Sequence, residues 1–260
     1  MDLLEINRHS MPQQRHPWEL ARFDFFQKQA AALMDRLPEK IEVLDVGAGD
    51  AWFSARFSEE NKKVQKIVCL DSHYQEEHKS LPYLASKKIE LTRETPKKKF
   101  ELIFLLDVLE HIENDTEVLR EIVTRNMKDN GLVIISVPAW QTLFSSHDRD
   151  LLHFRRYSPA RARTLINASG LTILRSGGLF HSLLPVRVLQ KLLESSSQQK
   201  VQSQVKDEVP DTWNKPALFT RAVLFLLAVD TWMSHLFSRF GINIPGLTWW
   251  AVCKRNTHKL

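Results

Sequence analysis

The chain has 260 residues, and its 43% hydrophobic and 26% charged content excludes general disorder and fits one globular domain with at most an appendage. Two cysteines, Cys69 and Cys253, cannot build a disulfide framework or a four-thiolate zinc site, so a reducing, cytoplasmic setting is expected. The net charge of +5 is local: residues 215–260 carry six Lys or Arg and one acid, leaving 30 of each sign before them, so a specific nucleic-acid surface is not implied.

In chain order, residues 1–19 lack the apolar run of a signal peptide. Residues 17–36 set apolar side chains at helical spacing until Pro38, which predicts a helical cap over 1–40. IEVLDV (41–46) reads as a strand passing through Gly47-Ala48-Gly49-Asp50 into a helix. VQKIVCLD (64–71) is a second strand ending in an acid, IELT (89–92) a weak third, and FELIFLLD (100–107) a buried fourth, again ending in an acid. A helix over 114–129 comes next, then Gly131 and the strand LVIISV (132–137), halted by Pro138. A His-, Asp- and Arg-rich loop (140–157) leads to a helix from Ser158 to Ala168 and a strand at 171–178.

This alternation of strands and helices predicts an α/β core over 41–182 with a mostly parallel sheet. A helical insertion or lid would span 183–245, interrupted by a mobile polar loop at 195–211, and the last core strand would lie in 246–260. The longest apolar run, Ala222–Val229, is far shorter than the ~20 residues that span a bilayer, so no spanning helix is expected. The helix around it (216–238) is apolar on several sides. It would serve as a lid, a core helix, or a peripheral contact with a membrane or partner, Trp232, Trp249 and Trp250 lying near the basic excess.

With only eight glycines in the chain, their placement is informative. Gly47 and Gly49 let the backbone turn sharply and approach a ligand, with helix N–H groups behind. Asp71, about twenty residues on, can accept both hydroxyls of a ribose. A nicotinamide enzyme would share this arrangement, so the residues around the loop and at the fourth strand's end must decide. Asp45 precedes the loop, Ala51 stands where a third glycine is common, and the fourth strand ends in Asp107-Val108-Leu109-Glu110-His111-Ile112.

These features resemble the class I S-adenosylmethionine-dependent methyltransferases, which implies a Rossmann-like, seven-stranded sheet with helices on both faces. The resemblance assigns the cofactor to Asp45, Gly47, Ala48, Gly49, Asp71, Ser72, Asp107 and Val108. Residues 137–157, VPAWQTLFSSHDRDLLHFRRY, and the closing NIPGLTWWAVCKR (243–255) resemble a subgroup that often accompanies sugar- or lipid-linked transferases. Two departures stand out: Ala51, and a segment after the third strand, LTRETPKKKF, without the usual Gly-Asp that meets adenine.

A sulfonium methyl is already electrophilic, so holding the nucleophile in line supplies much of the rate, and a hydroxyl acceptor also needs a base. His111, His147 and His153 all fall at the carboxyl end of the expected sheet, with His147 or His153 as base and Asp148 orienting it or sharing the role. Arg155, Arg156, Tyr157 and Trp140 would bind a small or lipid- or sugar-linked acceptor; alternatively, the charged loop only ties itself to the sheet by salt bridges. Two other readings stay open. Asp107, Glu110 and His111, with His153 as a fourth ligand, resemble the metal sites of ubiquinone-pathway and small-RNA 2′-O-methyltransferases, although no metal is the primary expectation. A cofactor-binding scaffold that has lost catalysis would also fit Ala51. Trp52 and Phe53 are expected to pack, Lys97-Lys98-Lys99 to be a solvated turn, and His73, His78 and His235 to lack partners.

Overall fold

A computed structural model of the chain describes residues 15–75, 78, 81–84, 86–196, 213 and 215–256. Seven strands form one sheet: β1 Ile41–Val46, β2 Val64–Leu70, β3 Ile89–Thr92, β4 Phe100–Leu106, β5 Met127–Pro138, β6 Leu171–Leu179 and β7 Thr248–Arg255. Their order is β3-β2-β1-β4-β5-β7-β6, with β7 antiparallel to both its neighbours and β1 to β5 parallel. This is the Rossmann-like class I methyltransferase fold. The chain switches direction of travel across the sheet between β1 and β4, and ligands bind at the carboxyl ends of the strands flanking such a point.

Among the described residues, seven helices complete the fold: α1 Pro17–Ala31, α2 Trp52–Glu60, α3 Asp115–Asn126, α4 Ser146–Asp150, α5 Pro159–Ala168, α6 Leu183–Ser196 and α7 Ala217–Arg239. Alternate residues of the strands face two separate cores, as the two-residue side-chain period requires. Val43, Phe104 and Ile134 pack with Phe23, Phe26 and Phe57 of α1 and α2. Leu44, Leu105 and Ile135 pack with Leu119, Val123, Leu165 and Ile166 of α3 and α5. Trp52 and Phe53 pack edge-on against Phe23, and Cys69 and Cys253 are free and buried.

Several boundaries differ from the sequence expectation. The helix over 17–36 divides into α1 and a 3-10 turn at Met34–Arg36. The helix expected through 129 ends at Asn126, because Met127 already pairs with Phe100 on β4. The intervening register shift hides this start of β5 behind a polar Lys128–Asn130 stretch. Gly131 therefore lies inside a strand irregularity, where a Cβ would come within 2.9 Å of the Lys128 carbonyl. The short helix α4 is an addition to the expected elements. Of the polar loop expected over 195–211, Ser195 and Ser196 end α6, and the rest lies outside the described residues.

Helix α7 matches the apolar helix expected over 216–238 and, by length and composition alone, is long and apolar enough to cross a membrane. Arg221 and Asp230 do not end α7, whose 23 residues contain an 18-residue window of mean hydropathy 1.4. That helix packs on α1 and β6 along one side.

Candidate active site

At the carboxyl end of the sheet, a cavity of about 840 Å³ is walled by Val46, Gly47, Asp71, His73, Val108, His111, Arg149 and His153, among others. Its floor is the turn after β1. Gly47 N donates to the Leu70 carbonyl at 2.7 Å, which pins the turn to β2. Gly47 has φ +65°, and a Cβ there would lie 2.7 Å from Val108 Cγ2, so only glycine fits without displacing Val108. Ala51 adopts φ 57° at the start of α2, so it takes up the left-handed turn a glycine would.

Asp71 joins the two sides of this floor. Its Oδ2 accepts from Gly49 N at 3.1 Å and its Oδ1 from His73 N at 3.0 Å. His73 Nδ1 also lies 3.2 Å from Oδ1, so this histidine has a partner after all. A carboxylate offers about four lone-pair sites, so acceptor capacity remains on Oδ2. Ser72 lines the same wall, and Arg93, whose Nε donates to the Ser72 carbonyl, lines it with Thr95 where the Gly-Asp is missing.

Asp45 lies beneath the cavity, outside its lining. Burial pushes its carboxyl up to about 7, against the opposing effects of the Ser54 hydroxyl and the Arg22 charge. Ser54 Oγ donates to it at 2.7 Å. Arg22, on α1, forms an ion pair with Asp107 at 2.9 Å, and Arg15 pairs with Asp50, so α1 closes over the strand ends.

The opposite wall comes from the end of β4 and the loop 140–157. His111 and His153 stand edge to face, centroids 4.6 Å apart. Burial first, and His153 nearby, hold His111 down to about 3, so it is neutral near pH 7. His153 Nδ1 lies 3.1 Å from Asp148 Oδ1, and Asp148 is fully buried, where it also meets Arg156 Nε at 2.7 Å.

Ligand atoms of Glu110, His111 and His153 fall within 4.8 Å of one another. Glu110 is buried, its Oε2 has no hydrogen-bond partner among the described residues, and burial together with Asp107 pushes its carboxyl up to about 8. Asp107 is not in this group, which corrects the acid-x-x-Glu-His expectation. Its backbone sits at φ 55°, its Oδ1 accepts from Ser136 Oγ at 2.8 Å, and Arg22 takes the other oxygen.

The remaining predicted residues lie apart from the cavity. His147 is exposed on α4. Arg155 pairs with Asp115 at 2.9 Å and lines a separate, open polar cleft beside Glu113 and Gln141. Tyr157 OH, also buried, donates to Asp115 at 2.8 Å, and Trp140 Nε1 donates to the Gly246 carbonyl at 2.8 Å. Conversely, His73, Arg93, Arg149, Leu152 and Phe154 line the cavity although the sequence pattern does not single them out. The Ser72-His73 pair directly after a strand-end acid was the available signal for His73. His235, too, has a partner, Gln29 of α1 at 2.9 Å.

Residues 18–175 match a family described as a methyltransferase domain. The chain belongs to that family. This methyltransferase domain is also 26% identical over 122 residues to the ubiquinone biosynthesis O-methyltransferase of Rickettsia akari. The match covers 44% of this chain and 47% of that protein, so the chain spans about half the length of the curated relative. Among solved structures, a Galdieria sulphuraria protein described as a sarcosine dimethylglycine methyltransferase superposes with TM-score 0.54 at 19% identity, covering 92% of this chain and 86% of that one. Coclaurine N-methyltransferase, bound to N-methylheliamine and S-adenosylhomocysteine, gives 0.53 at 14% identity over 91% and 70%. At these identities the solved structures speak for the fold, which is that of S-adenosylmethionine-dependent methyltransferases.

Proposed function

We propose that the chain transfers a methyl group from S-adenosylmethionine to a hydroxyl of a small or lipid- or sugar-linked acceptor, with His153 as the base. The observation carrying this is that one cavity unites the Gly47 turn and Asp71 with His111 and His153. The residues fit the cofactor: Gly47 allows the tight left-handed turn that forms the cavity floor against Val108, and Asp71 keeps acceptor capacity for ribose hydroxyls. Ser72, His73, Arg93 and Thr95 would border the adenosine end, replacing the missing Gly-Asp.

When bound, S-adenosylmethionine supplies an electrophilic methyl on a positively charged sulfur. Asp148 accepts from His153 Nδ1–H, because an ionised carboxylate only accepts, and this leaves Nε2 as the nitrogen able to take a proton. His153 thereby accepts the hydroxyl proton, and neutral His111 adds no competing positive charge beside it. Leu152 and Phe154 supply apolar wall for the acceptor.

Calorimetry with S-adenosylmethionine tests the first half, and radiolabelled methyl transfer to extracted acceptors the second. Binding of NADH in place of S-adenosylmethionine would sink the reading. Cofactor binding without any transfer would favour the scaffold alternative.

A second reading is favoured by the orphaned Glu110 Oε2 beside His111 and His153: a divalent cation there would compensate the buried carboxylate and draw the acceptor hydroxyl's proton affinity down. One carboxylate and two imidazoles suit Mg²⁺, Mn²⁺ or Zn²⁺. Turnover unchanged after EDTA treatment would reject it for a weakly held metal.

A further inference from the structure

Helices α6 and α7 are oriented against the usual rule for a soluble domain. In α7 the side towards the protein is polar: Asp230, Thr231, Ser234 and Ser238 are buried, with Leu227. Asp230 accepts from Ser182 N and from Ser182 Oγ, the latter at 2.6 Å, and Ser234 Oγ meets His181 Nε2 at 2.8 Å. The opposite side carries Leu218, Phe225, Val229 and Trp232, which recur at helical spacing along one line. Three of them, Leu218, Phe225 and Trp232, are 81%, 71% and 61% exposed.

The same inversion holds in α6. Arg187 hydrogen-bonds Ser145, and Lys191 Nζ donates to the Phe144 carbonyl at 2.6 Å, so the cations at i and i+4 face the protein. Val186, Leu189, Leu192 and Leu193 face out, each more than half exposed. An amphipathic helix of a soluble protein turns its apolar stripe to the core. Here two neighbouring elements spend their polar groups on the domain and offer the apolar stripes to the surroundings. Exposed apolar stripes of this kind, each several large side chains long, mark a docking surface.

The charge pattern selects the occupant. Lys215, just before α7, and Arg221 and Arg239 on it are exposed, while the single acid of α7, Asp230, is buried. A second copy meeting this face isologously would bring like charges together, with no exposed acid on α7 to receive them. An anionic lipid surface satisfies both features: acyl chains receive the Leu and Phe side chains, headgroups receive the Lys and Arg ends, and Trp232 suits the boundary between them. The polar bonds of Asp230 and Ser234 hold α7 along the domain, so it would lie in the interface and not cross it.

We propose that the outer faces of α6 and α7 form a docking surface for an anionic lipid bilayer. The proposal rests on the placement of these helices and not on the reading of the reaction. Its consequence for the cavity is direct, because α6 grips through Ser145 and Phe144 the loop that carries Leu152, His153 and Phe154 into the cavity wall. Bilayer contact and the acceptor side of the site are thereby mechanically joined.

The test is cosedimentation of the full chain with vesicles of phosphatidylcholine alone, or with roughly a third phosphatidylserine. The expected result is about tenfold tighter association with the anionic vesicles. The triple variant Leu218→Ser/Phe225→Ser/Trp232→Ser should lose about tenfold of it while keeping its circular dichroism and its S-adenosylmethionine calorimetry. Should the triple variant fail to fold, Arg221→Glu/Arg239→Glu carries the test, with weaker binding to anionic vesicles supporting the proposal and unchanged binding overturning it. No association with anionic vesicles overturns it. So does a wild-type dimer that the triple variant dissociates while vesicle binding persists. Calorimetry scores the cofactor reading separately, so failure of one is not failure of the other.

Discussion

Asp148 Oδ1 lies 3.1 Å from His153 Nδ1, and this contact between a fully buried carboxylate and a cavity-lining imidazole fixes which ring nitrogen can accept a proton. The carboxylate is itself held by Arg156 Nε at 2.7 Å and by Ser145 N at 2.9 Å. A base oriented by a third group in this way is the arrangement that general-base catalysis requires.

The first prediction separates the two histidines of the loop. His153→Ala should lower the methyl-transfer rate by about 10²–10⁴-fold, while calorimetric affinity for S-adenosylmethionine changes little. His147, exposed on α4, should tolerate alanine with a rate near that of the unaltered chain. A large loss in His147→Ala with full activity in His153→Ala would assign the base the other way.

Arg156 gives the second prediction. Its guanidinium is almost fully buried against Asp148, so Arg156→Ala leaves a buried carboxylate without its main counter-charge. A loss of about 3 kcal/mol in unfolding free energy is expected from urea denaturation, independent of any acceptor. A normal denaturation midpoint combined with a raised acceptor KM would instead place Arg156 in acceptor binding.

Those two residues show where sequence reading reaches its limit. The strands and the glycine turn facing Asp71 were legible because each rests on local pattern: apolar runs, a glycine turn, an acid at a strand end. The order of the strands followed only from the family resemblance. Arg155 and Arg156 looked like acceptor clamps because the spacing of a charged loop does not reveal that Asp115 and Asp148 will meet them. Asp107 has the spacing of a metal ligand, but Arg22, far away on α1, pairs with it in the folded chain. The place of His73 depends on the turn after β2, not on a side-chain pattern. In α7 apolar content was readable, but which side faces the domain was not, since Asp230 and Ser234 find their partners only in the folded chain.

A third prediction concerns the cofactor turn. Gly47→Ala combines a left-handed φ of +65° with a Cβ 2.7 Å from Val108 Cγ2. The strain alone should cost about 1–2 kcal/mol of stability, and the clash should weaken S-adenosylmethionine binding beyond that. Adding Val108→Ala should relieve the clash but not the backbone strain. The double variant is therefore expected to recover part of the lost affinity, measured by calorimetry. No recovery at all would mean that Val108 does not set the depth of the turn.

The fourth prediction uses Asp45 in the cofactor-free protein. Burial raises its folded-state value to about 7, offset in part by Ser54 and Arg22 and reinforced by Asp71 and Asp50. An unfolded chain ionises this group near the ordinary carboxylate value of about 4. Between those two values the folded state holds a proton that the unfolded state has released. Raising the pH through that window therefore destabilises the fold, by up to about 1.4 kcal/mol per pH unit, and the effect is complete above 7. Asp45→Asn cannot ionise and should remove that slope, which thermal unfolding at stepped pH will reveal. Arg22→Ala should extend the destabilisation to higher pH, because a cation that opposes the shift is then gone and the folded-state value rises further. A wild-type stability that rises with pH between 4 and 7, unaltered by Asp45→Asn, would show that this carboxyl is already charged in the folded chain.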